Sequence, residues 1–408
     1  MIMVGMINIY ALAAVGMSMQ FMMVINVFIT LYVVGGNALI SRFIGQRRKH
    51  RASALLYGLS MFATLMALIV GTVVYFSSEW MYSAMGAAPE VIFEGSIYLK
   101  TLALGFVVIF IDSLMYNALS AAGDTKSSLY IKLFSALINA FLNYVLIFGH
   151  FGVEAMGIEG AAYATLIAYS FNVLIYFFLL NKKDSKLNFI KIIKIKDLKR
   201  VWNIGSNAAL ERGISSLSFL VFVSIISMYG TPQLAGYQTG LRIEGIAFMP
   251  GFGFAIAAMA LVGQSLGEND KEKAYKMGII SGRIAALFMG SVGIFLILFP
   301  EFFVSFFTND KETISIASFY LIFVGFAQVP LAINFIYSAS LRGAGATKIT
   351  LKINIASLWI LRVLPSYIAY KLGFSVVAIF VIMNIETLIK GIIYHLIYKQ
   401  RNWLETRV

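Results

Sequence analysis

Apolar residues run in long blocks along this chain, broken by short polar stretches, with neither the two-residue alternation of strands nor the narrow stripe of soluble helices. Blocks of this length predict helices of membrane-spanning size, near residues 11–44, 52–77, 93–120, 128–149, 157–180, 201–230, 233–264, 274–300, 315–341, 349–371 and 375–398. The blocks at 11–44 and 233–264 exceed the need of a hydrocarbon core of about 30 Å, so they should protrude or tilt. Residues 1–10 form an extra apolar piece, too short to cross alone and without the basic head and cleavage site of a signal peptide. Residues 1–8 are expected to be the outer end of a truncated span, with Asn8–Tyr10 an external turn and "ALAAVG" the start of the next helix.

Composition agrees with lipid as the solvent. The 408 residues are 60% hydrophobic and 12% charged, and the mean hydropathy is +0.84. A water-soluble surface needs more polar cover than that. The net charge of +13 does not point to nucleic acid, because the basic residues gather between apolar blocks. "GQRRKHR" (45–51), "GDTK" (123–126), residues 181–200, "GENDKEK" (267–273), "LRGAGATK" (341–348) and the tail "KQRNWLETRV" carry Lys or Arg. The alternate loops at 78–90, 149–157 and 230–233 carry none, with Lys311 and Lys371 as minor exceptions. The basic set is therefore expected in the cytoplasm. The stretch 181–200 mixes eight basic residues with Ile, Leu and Phe. It reads as a cytoplasmic linker, or as an amphipathic segment on anionic headgroups.

Cysteine is absent, and His50, His150 and His395 lie far apart with no HExxH or GxSxG stretch. Neither a disulfide framework nor an enzyme is expected. The two halves echo each other instead. "AGDTKSSLYIKL" (122–133) parallels "AGATKITLKINI" (344–355) and "ALAAVGMSMQ" (11–20) parallels "QLAGYQTGLR" (233–242), both at an offset of 222, and "FIGQ" (43–46) parallels "LVGQ" (261–264) at 218. A duplicated bundle follows, with residues 1–180 as an N-terminal lobe, 181–200 as the linker and 201–408 as a C-terminal lobe. Six spans in the second half make the repeats parallel, and such folds place substrate and ions near the interface of halves.

These motifs resemble the multidrug and toxic compound extrusion (MATE) family. The carriers are "GGNALISRFIGQ" (35–46), "ALSAAGDTK" (118–126), "INAFLNYVLIFG" (138–149), "GIEGAAYATLIAY" (157–169), "LRIEGIAFMPGFGFAIAAMALVGQSLG" (241–267), "SASLRGAGATK" (338–348) and "LWILRVLPSYI" (358–368). The resemblance implies an all-α polytopic membrane protein of two six-helix bundles forming a V, the first helix truncated here. It also implies a cation-coupled (Na⁺ or H⁺) antiporter that exports amphipathic, often cationic organic compounds by alternating access, with no cofactor. A monomer in a prokaryotic plasma membrane is expected. The alternatives are a lipid-linked oligosaccharide flippase of the same superfamily and a truncated, non-transporting protein.

Ionisable groups inside hydrocarbon are costly and therefore candidates for function. Glu211 is expected to face the cavity as a cation or proton acceptor, with adjacent Arg212 snorkelling toward the cytoplasm. Arg242 and Glu244 follow in "GLRIEGIAF" and diverge on their helix, so their partners are expected from other helices, with Glu244 a carboxylate for a coupling ion or cationic compound; alternatively Arg242 neutralises Glu211 and leaves Glu244 free. Asp112, the one acid deep in the first half, maps at offset 222 onto Asn334, and either faces the cavity or satisfies an interhelical bond.

Asn139 and Asn143 share a helix face, with Thr165 on the next helix. By resemblance this region is a cation site, here limited to Na⁺ because the amide of Asn143 replaces an Asp of some branches. The partner Asp of those branches would fall before Met1. Arg362 is expected to bond a carbonyl freed by Pro365, and Pro250 and Pro330 to interrupt their helices, either as bending points or as static kinks. No acid lies within 315–341, a departure from the NorM-like branch toward the DinF-like one.

Overall fold

In lipid every backbone amide needs an internal partner, and a helix supplies it without edges. The computed structural model, which describes residues 2–182 and 185–406, is accordingly helical, with no strand among the described residues. Met1, Lys183, Asp184, Arg407 and Val408 lie outside the described residues, so parts of the expected N-terminal piece, basic linker and tail are not covered.

The helices are α1 (Ile2–Gly5), α2 (Ile9–Gly45), α3 (Lys49–Ala84), α4 (Pro89–Leu104), α5 (Phe106–Ala121), α6 (Thr125–Phe148), α7 (Gly157–Leu180), α8 (Ile195–Ser227), α9 (Thr231–Gly267), α10 (Lys271–Leu298), α11 (Pro300–Ser305), α12 (Lys311–Gly343), α13 (Thr347–Ala356), α14 (Leu364–Lys371) and α15 (Val376–Gln400). A π-helical turn, Ser357–Val363, joins α13 to α14. Among the described residues ten segments, with α13 to α14 taken as one, are long and apolar enough to cross a membrane, and eleven if the bent pair α4 and α5 is one span. The protein is a multi-pass membrane protein.

Three local features depart from the expected spans. The third span bends by 59° between α4 and α5. The bend lies at Gly105, where a Cβ would come within 2.2 Å of the Leu166 side chain. The π turn was not expected either. At the start, α2 begins at Ile9 rather than Ala11, because Asn8 Oδ1 accepts from Ala11 N at 2.6 Å and caps the first turn.

The duplication holds element by element. The starts of α2 and α9 (Ile9, Thr231), α3 and α10 (Lys49, Lys271), α4 and α12 (Pro89, Lys311), and α6 and α13 (Thr125, Thr347) each stand 222 residues apart. Gly45 and Gly267 end their helices at the same spacing, so "FIGQ" and "LVGQ", matched at 218, are one turn out of structural register. Gly123 and Gly345 adopt φ of 86° and 85°, the left-handed turn that ends equivalent spans. "TLI" recurs at 165–167 and 387–389.

By contacts the chain divides into two units, Met1–Gly36 with Arg48–Trp202, and Asn37–Arg47 with Asn203–Val408. In the first, α3 packs on α4 and α5, and α6 on α7. Tyr82 is buried there against α2, where it hydrogen-bonds Ser18 and donates to Ala14 O at 3.1 Å. Described residues of the 181–200 stretch pack on the first unit: Leu187 is buried, Asn188 N donates to Ser53 Oγ at 2.9 Å, and Asp197 pairs with Arg51 at 2.7 Å.

In the second unit α12 is central, packed on α9, α10 and α15. One cluster stacks Tyr337, Tyr398 and Trp403, with ring centroids 4.4 and 4.6 Å apart. The other joins Tyr237, Tyr320 and Phe380.

Candidate functional site

An unpaired charge in hydrocarbon costs several kcal/mol, so the partners of each buried ion show what it can do. In the second unit Glu386 is 0% exposed. Its Oε2 accepts from Arg362 Nη2 at 2.5 Å and Nε at 3.1 Å, and Lys390 Nζ stands 3.0 Å from Oε1. Arg362 Nη2 also reaches Thr387 Oγ1 at 3.3 Å. Arg362 therefore bonds a carboxylate and a hydroxyl, not the carbonyl freed by Pro365. The π turn sets this arginine, which also lies 5.7 Å from the Phe222 ring.

Glu244 sits on α9, partly buried, and accepts a hydrogen bond from the Tyr320 hydroxyl of α12. Glu386 is in direct contact with a guanidinium, whereas Glu244 has, among the described residues, a neutral hydroxyl as its bonded partner. Glu244 is the less compensated of the pair, and the one whose charge can change at lower cost.

Glu211 is placed differently from the expectation. It is 6% exposed and accepts from Thr350 Oγ1 and Asn354 Nδ2, each at 2.6 Å. Arg342 Nη2 lies 3.3 Å from Glu211 Oε1. Asn354 Nδ2 also reaches the Tyr394 hydroxyl at 3.0 Å. The cation beside Glu211 is thus Arg342, from the last turn of α12, and not Arg242, which is exposed and forms no ion pair among the described residues. Arg212 is exposed.

In the first unit Asp112, 2% exposed, is bonded by Lys132 from α6 and by Asn172 Nδ2 from α7 at 2.9 Å. Of the two roles expected for it, the structure has the interhelical one. Its counterpart Asn334 donates through Nδ2 to Thr387 O at 3.1 Å. Asn139, Asn143 and Thr165 do come together: Asn143 Nδ2 donates to Asn139 Oδ1 at 3.0 Å, and Asn139 Nδ2 to Thr165 Oγ1 at 3.4 Å. Three amide or hydroxyl oxygens in one half-buried place fit a hard monovalent cation in donor chemistry. Pro250 and Pro330 both stand inside helices, α9 and α12, which continue across them.

Sequence reasoning missed Glu386, Lys390, Lys132, Asn172 and Tyr320. Glu386 and Lys390 carried a readable signal, an acid and a base at i, i+4 inside an apolar block. The aromatic and amide partners carried none, because a buried tyrosine and a ligating one look alike in sequence.

The comparisons with known proteins follow the same lines. The MatE family model matches residues 1–145 and 208–368. A protein named probable multidrug resistance protein NorM, from Thermotoga maritima, is 27% identical over 365 residues, 88% of this chain and 78% of that protein. The uncharacterized transporter YisQ of Bacillus subtilis is 24% identical over 402 residues, 97% of this chain and 88% of its own. Two solved structures share the fold at 21% identity, each covering 100% of this chain and 91% of the other. One is a MOP superfamily transporter from Pyrococcus furiosus with a TM-score of 0.92. The other is a multidrug resistance MATE family transporter in an outward-facing conformation with a TM-score of 0.91. With a family model that matches well over half of its length and a duplicated helical fold to go with it, this chain belongs to the MatE family of multi-pass membrane transporters.

Proposed function

We propose that this protein exports amphipathic, often cationic organic compounds in exchange for Na⁺ or H⁺, by alternating access, from a prokaryotic cell whose cytoplasm faces the basic loops. The observation that carries the reading is Glu244, a carboxylate in the middle of a spanning helix whose bonded partner is a neutral tyrosine hydroxyl. A carboxylate so placed takes up a proton or a small cation at modest cost, and its field changes when it does. Uptake at Glu244 removes the buried charge on α9 and shifts the balance between two conformations of the second unit. Glu211, with three polar partners in Thr350, Asn354 and Arg342, holds its helix in place and is not the coupling acid. Asn139, Asn143 and Thr165 form the candidate Na⁺ position of the first unit. The multidrug resistance proteins among its relatives support multidrug export as the task.

Purified protein in liposomes decides the matter. A Na⁺ or pH gradient is expected to drive accumulation of an ethidium-like dye, and Glu244→Gln to abolish coupling while leaving the fold intact. If neither gradient moves the dye, the reading is wrong.

A further inference from the structure

We propose that Asp112, Asn172, Tyr116 and Tyr169 form a binding site for an organic ammonium group, and that Lys132 is its built-in occupant. The carboxylate is almost wholly buried, and Asn172, 1% exposed, fixes one of its oxygens. The other oxygen receives the Lys132 ammonium. That ammonium also stands 5.5 Å from the Tyr116 ring centroid and 5.0 Å from that of Tyr169. A buried carboxylate with two aromatic faces around one ammonium is the arrangement that recognises alkylammonium ligands.

Lys132 is the member of this group free to leave. Its side chain is 33% exposed, on a flexible four-carbon stem whose head is readily taken back by water. It lies seven residues into α6, so the site is roughly 10 Å from the end of that helix beside the 123–126 loop. Exchanging its ammonium for that of a ligand leaves the buried charge unchanged, so the swap avoids the cost of a bare carboxylate.

The duplication shows that the cage is not required by the fold. The equivalents of Tyr116, Lys132 and Tyr169 in the second unit are Ser338, Asn354 and Gly391. No ring stands at either place, and Asn354 bonds an acid from another helix, Glu211. The caged ammonium belongs to the first unit alone. Lys132 therefore acts as a tethered competitor, which keeps the site closed to weak cations and yields to those that fill the cage better.

The inference rests on the export reading only for how the site is used. Binding is measured on the full chain in detergent, without a gradient, so a failure of export leaves this test standing. Equilibrium dialysis with radiolabelled tetramethylammonium compares wild type, Lys132→Met and the double variant Lys132→Met with Asp112→Asn. Removal of the competitor is expected to tighten binding at least ~10-fold, and the double variant to lose it. Equal affinity in wild type and Lys132→Met, or binding that survives in the double variant, overturns the proposal.

A second measurement needs no substitution. Acetic anhydride labelling of the wild-type protein, mapped by mass spectrometry, is expected to rise several-fold at Lys132 in saturating tetramethylammonium, with exposed Lys126 unchanged as the reference. No rise at Lys132 overturns the proposal whatever the variants do.

Discussion

Two copies of one helical plan have been filled with different charges. The first unit holds two buried acids: Asp197, in the first turn of α8, is paired with Arg51, and Asp112, inside α5, is balanced by one cation that is a third exposed. The second holds Glu386, Glu211 and Glu244, with Arg362, Lys390 and Arg342 around them. The scaffold does not explain the difference, since helix starts repeat at 222 residues in both. The π turn at Ser357–Val363 lies where α6 of the first unit is regular helix, and it is the turn that carries Arg362.

The largest effect should come from Glu386. Glu386→Ala leaves two cations, 21% and 12% exposed, without their carboxylate. The cost should be about 3–5 kcal/mol of stability, read as a large fall in melting temperature in detergent. Asp112→Asn in the first unit should cost less, because Lys132 can swing into water. Equal losses at the two sites would erase the distinction between the units. Adding Arg362→Met and Lys390→Met to Glu386→Ala should restore part of the loss, since the uncompensated charge goes with them.

Transport should divide along the same line. Glu244→Gln is expected to remove gradient-driven dye movement, on the order of 100-fold or more, with the melting temperature near that of wild type. Glu211→Gln should do the reverse: it weakens the hydrogen bonds to Thr350 and Asn354 and the pairing with Arg342, lowering stability while coupling survives. Dye accumulation in liposomes and thermal unfolding, measured on both variants, check the contrast.

The plan of the molecule was legible in the sequence and its chemistry only partly so. Long apolar blocks specify spans because lipid leaves the backbone no other option, and the repeat is visible wherever a turn demands glycine, as at Gly123 and Gly345. The bend at Gly105 was not, since a glycine inside an apolar block is common and only the Leu166 side chain packed against it makes this one matter. Pairings were the least legible. Arg242 stood two residues from an acid and proved exposed, while Arg342 appeared to belong to a loop and lies beside Glu211. Sequence distance says which charges are expensive, and tertiary packing decides which one answers which.

The bend offers a third comparison. Ala327 occupies in α12 the place of Gly105, and that helix runs through unbroken. Gly105→Ala would drive a methyl into Leu166 and should cost roughly 1–3 kcal/mol. Ala327→Gly, which only loosens a helix, should cost about 1 kcal/mol. A melting series on the two variants in which Ala327→Gly is the worse would show that the bend is not held by that contact.

The smallest effect concerns helix starts, where the copies differ in a regular way. Asp124, Asp270 and Asp310 cap α6, α10 and α12 by accepting from the backbone three residues on. Their counterparts at 222 residues are Ala346, Arg48 and Ala88, none of which makes a side-chain cap. Each equivalent pair of helices is thus capped in one copy only. Ala88→Asp should place a carboxylate where Val91 N can donate to it and add about 1 kcal/mol. Asp310→Ala should lower stability, and the sign of its pH dependence follows from the cap. The bonds from Thr313 hold the Asp310 carboxyl below the usual range, so its contribution is present above the unfolded pKa of about 3.9 and fades as pH falls through the lower folded value. Melting curves of wild type and Asp310→Ala should therefore differ at neutral pH and converge in acid. A gap that persists in strong acid would mean that Asp310 acts through packing and not as a charged cap.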